Sequence, residues 1–316
     1  MIARLVRVVG VLLMLTALAL MLAQEPERPV QSLVARWAPP PSDFIDLGGQ
    51  LVHLRDEGPR NDPQPIVLMH ALAGSLHTWD GWAQALRQQR RVIRFDLPGN
   101  GLSGPWTGRY AGADYAAATE ARFVFDLLDR LHVERAVLGG NGLGGEIAWR
   151  MALLAPRRAA ALILVAPGGV DAPPPSPPLP LRAARLPLWR WFAPWVLPRG
   201  LVAQALAAAY GHRDRVSGDL VDRYFELALR DGNRSAYARA LHEQQPATPA
   251  QLAALRLPTL ILWGGRDRLL PPAQGLRLQQ AVAGSRRIVI DDLGHLPQEE
   301  DPARSLAPVR AFLGLR

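Results

Sequence analysis

The sequence predicts an α/β protein: a mostly parallel sheet with helices on both faces and a helical cap inserted after the sixth strand. Three observations carry that expectation. Short continuous apolar runs recur along the chain, separated by amphipathic helical patterns, which is how strands buried on both faces read. Between two of those runs, residues 168–257 hold no comparable strand. A glycine-crowded corner, Gly140-Asn141-Gly142-Leu143-Gly144, joins an apolar run to a helix-like segment.

In chain order, FIDLGGQLVHLRDEG (44–58) reads as two short strands joined by a Gly48-Gly49 hairpin turn. Runs follow at 65–70 (PIVLMH), 91–96 (RVIRFD) and 135–140 (RAVLGG), with helices expected from His77 to Gln89 and from Asp114 to Leu131. Later runs lie at 160–167 (AALILVAP), 258–264 (PTLILWG) and 286–292 (RRIVIDD). Such alternation indicates a parallel sheet covered on both faces. The strandless stretch opens with APPPSPPLP (172–180), whose prolines cannot pair in a central strand. Helical patterns follow in WRWFAPWVLP, LVAQALAAAYG, DLVDRYFELALRDG and SAYARALHEQ. An insertion after a strand end sits above the carboxyl edge of the sheet, where open α/β folds bind ligands. The expected division is a core over 42–171 and 251–316 with a cap over 172–250.

Residues 1–24 are expected to form an N-terminal signal anchor. Val8 to Gln24, 17 residues, carry no charge; Arg4 and Arg7 precede them and Glu25 and Glu27 follow. That polarity keeps the N-terminus in the cytoplasm. The expectation is a single-pass helix in the cell inner membrane with the folded domain outside it. Cleavage at Ala17-Leu18-Ala19 would instead release a secreted domain. Residues 25–41 are expected to be a stiff, proline-rich tether.

Composition excludes several classes. The net charge is +8, yet all 36 basic residues are arginine, and the pairs Arg90-Arg91, Arg157-Arg158 and Arg286-Arg287 stand apart. No nucleic-acid partner is expected from so dispersed a pattern. Without cysteine there is no disulfide framework or thiol nucleophile. No His/Asp/Glu spacing resembles a metal site, and no cofactor is expected.

The corner carries the chemistry. In a nucleophile elbow, spaced G-x-S-x-G, small residues flank a strained strand-to-helix turn so that one hydroxyl projects above the sheet. Here the middle position is Gly142. Glycine tolerates the strained conformation but supplies no nucleophile. Losing a triad nucleophile costs about a million-fold in turnover, roughly 8 kcal/mol of barrier. An acyl-enzyme on residue 142 is excluded.

With these elements in place, residues 42–314 resemble the α/β-hydrolase superfamily, in its bacterial capped branch of esterases, epoxide hydrolases, dehalogenases and carbon–carbon bond hydrolases. MHALAGSLHTW (69–79) is similar to the family's H-G-x-x-G-S loop, with Ala71 where glycine is usual, and DLPGNGLSG (96–104) to its D-x-P-G-x-G-x-S, with Asn100 where histidine is common. The elbow comes next. LWGGRDRLLP (262–271) resembles the turn carrying the triad acid and LGHLPQEEDP (293–302) the loop carrying its base. The resemblance implies Asp267 as the acid, His295 as the base, and the N–H groups of Leu72 and Leu143 as an oxyanion hole. Ser75 and Ser103 occupy positions where the family's serine is structural. His70 and His77 are expected in loop structure, and His212 and His242 on the cap surface. The aromatic residues at 189, 191, 192 and 195 read as cap core or as an apolar lid.

Two functions follow. One is a hydrolase of small, apolar, ester or carbonyl-type substrates, in which His295 and Asp267 activate water directly. The other is a non-catalytic protein that uses the capped cleft to bind a ligand or a protein.

Overall fold

The computed structural model describes residues 24–170 and 195–315, with a few isolated positions before residue 24. Helix α1 (Val30–Trp37) leads into a hairpin of β1 (Asp43–Asp46) and β2 (Leu51–Glu57). Then come β3 (Ile66–Met69), α2 (Asp80–Leu86), β4 (Val92–Phe95), α3 (Ala117–Arg130), β5 (Ala136–Gly142), α4 (Leu143–Leu154) and β6 (Ala159–Pro167). Helices α5 (Arg199–Ala209), α6 (Gly218–Ala228), α7 (Asn233–Glu243) and α8 (Pro249–Ala253) separate β6 from β7 (Thr259–Gly264). The chain closes with α9 (Ala273–Ala281), β8 (Arg286–Ile290), α10 (Pro297–Glu300) and α11 (Pro302–Phe312).

The eight strands form one sheet in the order β1-β2-β4-β3-β5-β6-β7-β8. Pairing is antiparallel at β1–β2 and β2–β4 and parallel from β4 through β8. The α/β expectation is met, each apolar run becoming a strand. Alternate residues serve opposite faces, as the two-residue period of a strand requires. Val67, Met69, Leu138, Leu164 and Trp263 pack with Phe123 and Leu127 of α3 and Ile147 of α4. Ile66, Leu68, Val137, Ile163 and Leu262 pack with Trp82 of α2 and Leu306 and Val309 of α11. β3 is flanked by β4 on one side and β5 on the other. At such a reversal of strand order a crevice opens beyond the carboxyl ends of the strands.

Two expectations for the N-terminal region are corrected. Among the described residues no helix is long and apolar enough to cross a membrane, which overturns the transmembrane signal anchor and, with it, the assignment to the inner membrane. Most of residues 1–24 lie outside the described residues. The expected span, residues 8–24, has no counterpart among the described helices. The second correction concerns the tether. Residues 30–37, between Pro29 and Pro39, are helical, because Leu33 finds an apolar seat with Leu102 and Leu227. The proline-rich segment 172–180 and most of WRWFAPWVLP also lie outside the described residues.

α1 is strapped down at its end. Trp37 Nε1 donates to Glu226 Oε2 of α6 at 2.7 Å, and Arg36 donates to Glu226 Oε1 at 2.7 Å. The Trp37 carbonyl accepts from His77 Nε2 at 2.9 Å, while His77 Nδ1 pairs with the Ser75 hydroxyl at 3.2 Å. His77 is therefore held neutral with its proton on Nε2. Burial pushes its imidazole down to about 4, with Asp96 and Asp80 opposing in part. A base whose folded value lies below its ordinary 6.5 binds fewer protons than in the unfolded chain across that interval, so stability is full above 6.5 and is lost as the pH falls toward 4. The loss is on the order of 3 kcal/mol. The urea midpoint is expected to fall between pH 6.5 and 4, and to fall less in a His77→Gln variant; equal slopes in the two proteins would contradict the assignment.

Candidate active site

Strand β5 turns into helix α4 at Gly142, whose backbone angles are φ +54° and ψ −117°. A side chain is strained there. The helix presses against the strands so closely that a β-carbon at Gly144 would lie 2.1 Å from the Met69 carbonyl oxygen. Gly144 N–H donates to the His70 carbonyl at 3.1 Å and Gly168 N–H to the Gly142 carbonyl at 2.8 Å. A β-carbon built on Gly142 would lie 3.1 Å from Ala71 Cβ and 3.2 Å from His295 Nε2. Two of the positions that depart from the family motifs, 71 and 142, thus face each other.

Asp267 follows the end of β7, and His295 follows β8. His295 Nδ1 lies 2.8 Å from Asp267 Oδ2. The other carboxylate oxygen of Asp267 accepts from Leu269 N–H at 2.8 Å and Leu270 N–H at 2.9 Å, which fixes the plane of the group. The Asp267 side chain is fully buried and His295 keeps a small exposed edge. The His295 loop is held from two sides. Its backbone N–H donates to the Ala209 carbonyl at the end of α5 at 2.6 Å. Its carbonyl accepts from Asn141 Nδ2 at 2.9 Å, and the same amide donates to Val165 at 3.0 Å. Asn141 thereby ties β5, β6 and the histidine loop together and faces away from the corner.

The loop after β3 carries Ala71 and Leu72. His70 anchors it: Nε2 accepts from Leu97 N–H at 2.9 Å, so Nδ1 carries the proton and donates to the Ala71 carbonyl at 2.7 Å. Burial keeps this imidazole neutral, below its ordinary value, against the pull of Asp96. Asn100, standing where the family favours histidine, accepts from Ala73 N–H at 2.9 Å through Oδ1. Asp96 fastens the next turn, accepting from Leu76 N–H and Leu102 N–H, each at 2.8 Å, and pairing with His53 at 2.7 Å. Burial opposes its ionisation, but His53 beside it outweighs that and holds the carboxyl below the usual range. The N–H groups of Leu72 and Leu143 have no hydrogen-bond partner among the described residues, and both residues line the cavity above the corner.

That cavity measures about 420 Å³. Ala71, Gly142, Leu143 and His295 form its floor; Leu201, Val202 and Leu206 of α5 roof it, with Leu269 and Leu270 at one side. Ser75 and Ser103 do not line it. Ser103 Oγ donates to the Asp96 carbonyl at 2.8 Å and accepts from His53 N–H at 3.0 Å, a structural role. His212 is half-buried and faces Asp292 Oδ2 at 3.1 Å; His242 is exposed, as is Trp195.

Three charged residues near the cavity escaped sequence reasoning. Glu146, one turn into α4, lines the cavity and is buried; Oε1 accepts from Arg150 Nε at 2.9 Å and Nη2 at 2.6 Å. Burial pushes its carboxyl up, with Arg150 opposing. Glu120 on α3 is fully buried without a hydrogen-bond partner, and burial, reinforced by Glu146, drives its carboxyl well above the usual range. Arg234 of α7 lines the cavity with no hydrogen bond to any of its three guanidinium nitrogens. The i,i+4 pair Glu146 and Arg150 within the otherwise apolar LGGEIAWRMALL was a readable signal. Nothing local marks Glu120 or Arg234, whose burial is set by distant segments.

The facing of residues 71 and 142 has a measurable consequence. Gly142→Ser is expected to cost about 1–3 kcal/mol through strain and crowding. In an Ala71→Gly background the cost is expected to shrink by about 0.5 kcal/mol or more. A double-mutant cycle in urea reads the coupling, and strict additivity would show that the methyl of Ala71 does not limit the corner.

Comparison with known proteins agrees with this architecture. Residues 64–302 match the family described as alpha/beta hydrolase fold. An uncharacterized protein of Mycobacterium tuberculosis is 29% identical over 302 residues, covering 90% of this chain and 84% of its own length. The 2-hydroxy-6-oxo-2,4-heptadienoate hydrolase of Pseudomonas putida is 28% identical, covering 85% of this chain and 95% of its own. Among solved structures, a meta-cleavage product hydrolase from Pseudomonas fluorescens IP01 superposes with a TM-score of 0.73 at 22% identity, over 86% of this chain and 97% of that one, a likeness of fold. With the family matched over most of the chain and its sheet order and corner present, the protein belongs to the α/β-hydrolase fold family.

Proposed function

We propose that this protein hydrolyses small, largely apolar ester or carbonyl-type substrates, with His295 acting as general base on water instead of on a serine. One observation carries the reading. His295 Nε2 stands 3.2 Å from the point where residue 142 would bear its β-carbon, and the other ring nitrogen is bonded to Asp267. With Nδ1–H donating its hydrogen bond to the carboxylate, Nε2 keeps its lone pair facing the corner. Water at the corner loses a proton to Nε2 as its oxygen attacks the substrate carbonyl carbon. The oxyanion that forms accepts from the N–H groups of Leu72 and Leu143, both otherwise without partners. Asp267 stabilises the imidazolium, which returns its proton to the departing alkoxide as the ester bond breaks. No covalent intermediate forms, so activated esters are favoured and amides are turned over slowly. The helices between β6 and β7 act as the cap, and their apolar lining of the cavity, chiefly from α5, selects the apolar substrate. Hydrolase relatives support the reaction class.

A second reading has its own observation. Gly142 lacks a nucleophile and the methyl of Ala71 narrows the corner beside it, which suits a cleft that binds without reacting.

Short aryl esters decide between them when assayed with the wild-type chain, His295→Ala and Gly142→Ser. Wild-type hydrolysis is expected to fall about 100-fold or more in His295→Ala. Wild-type activity no greater than that of His295→Ala would overturn the water mechanism. If Gly142→Ser then gains several orders of magnitude, the site is an esterase emptied of its serine; if no protein hydrolyses any ester, the binding reading stands.

A further inference from the structure

We propose that Arg234 makes the cavity a receptor for an amphiphilic organic anion, with an apolar body and a single carboxylate or phosphate group. The inference rests on the reading of the cavity as the substrate site and names the substrate's charge. Arg234 sits in the first turn of α7, with 5% of its surface exposed. Its Nε, Nη1 and Nη2 are buried without a single hydrogen-bond partner. The nearest carboxylate, Glu27, is 4.0 Å from Nη2, too far for a hydrogen bond, and its Oε1 already accepts from Gly232 N–H at 3.1 Å. Burial lowers the Arg234 value and Glu27 and Glu25 only partly restore it.

A guanidinium does not shed its proton to escape such a site, so the cost of burying it stands until an anion arrives. Its planar fork of donors matches a carboxylate or phosphate edge, and the N-terminal turn of the 11-residue α7 adds the positive end of a helix dipole. The charge balance of the walls points the same way. Glu146, the carboxylate of the lining, is already neutralised by Arg150, whereas Arg234 has only the distant Glu27 as counter-charge and no hydrogen bond to it. No hydrogen bond holds the head of this long side chain, so engaging an anion requires it to turn from its buried position toward the cavity that the residue lines, while leucines and valine of α5 and Leu269 cover the apolar body.

Isothermal titration of the full chain with octanoate, octyl phosphate and octanol tests this without any hydrolysis. At least one anion is expected to bind about tenfold or more tightly than the alcohol, and the tighter of the two anions identifies the group recognised. Arg234→Met is expected to abolish that preference and leave octanol affinity unchanged, with Arg234→Lys retaining part of it. An alcohol that binds as tightly as both anions, the absence of binding by all three, or an anion preference that survives Arg234→Met would overturn the proposal. The wild-type comparison decides even if Arg234→Met does not fold. Ester hydrolysis that persists without anion binding sinks this inference alone, whereas anion binding without His295-dependent hydrolysis sinks only the water mechanism.

Discussion

The site depends on how closely one helix can approach the sheet. Where α4 leaves β5, a β-carbon on Gly144 would collide with the backbone of β3, and one on Gly140 would come within 2.2 Å of the Gly144 carbonyl carbon. Only side chains of no size allow that contact. From it follow the positive φ of Gly142, the unpaired N–H of Leu143 at the start of α4, and the position of the cavity floor. Helix N-termini gather unsatisfied donors, and here Leu143, whose N–H has no partner among the described residues, lines the same cavity as His295. The corner therefore survives the loss of a nucleophile, because its geometry is set by packing and not by the residue at its apex.

Buried polar groups hold the surrounding loops in register. Asp96 gathers two backbone N–H groups and His53, His70 spans from the β3 loop to Leu97, and Asn141 spans three strand ends. Asp96 and His70 are hydrogen-bonded at both of their side-chain polar atoms and Asn141 through its Nδ2, and such bonds are rigidifying in a medium of low dielectric. Glu120 and Arg234 differ: each is buried with no hydrogen-bond partner for its charged end. A carboxyl escapes that cost by keeping its proton, and a guanidinium does not.

Much of this was legible in the chain. The strands read clearly because each is a short unbroken apolar run, the pattern left by burial on both faces, and the helices α3, α5, α6 and α7 fall where amphipathic periods stood. Around the cavity, Gly142, Asp267 and His295 lie together although 153 positions separate the first from the last, since parallel strands deliver successive loops to one edge. Other features were beyond reach. The helix of residues 30–37 exists because Leu33, Arg36 and Trp37 meet partners near residues 102 and 226, contacts invisible to local pattern. The expected membrane anchor has no counterpart among the described helices. Arg234 resembles any helix-surface arginine until α7 is folded against the loop at 99–101.

The bond from His295 N–H to the Ala209 carbonyl welds the roof to the floor at one end. Lifting α5 would drag the imidazole away from its carboxylate, so a motion that opened this end would disarm the very group it exposed.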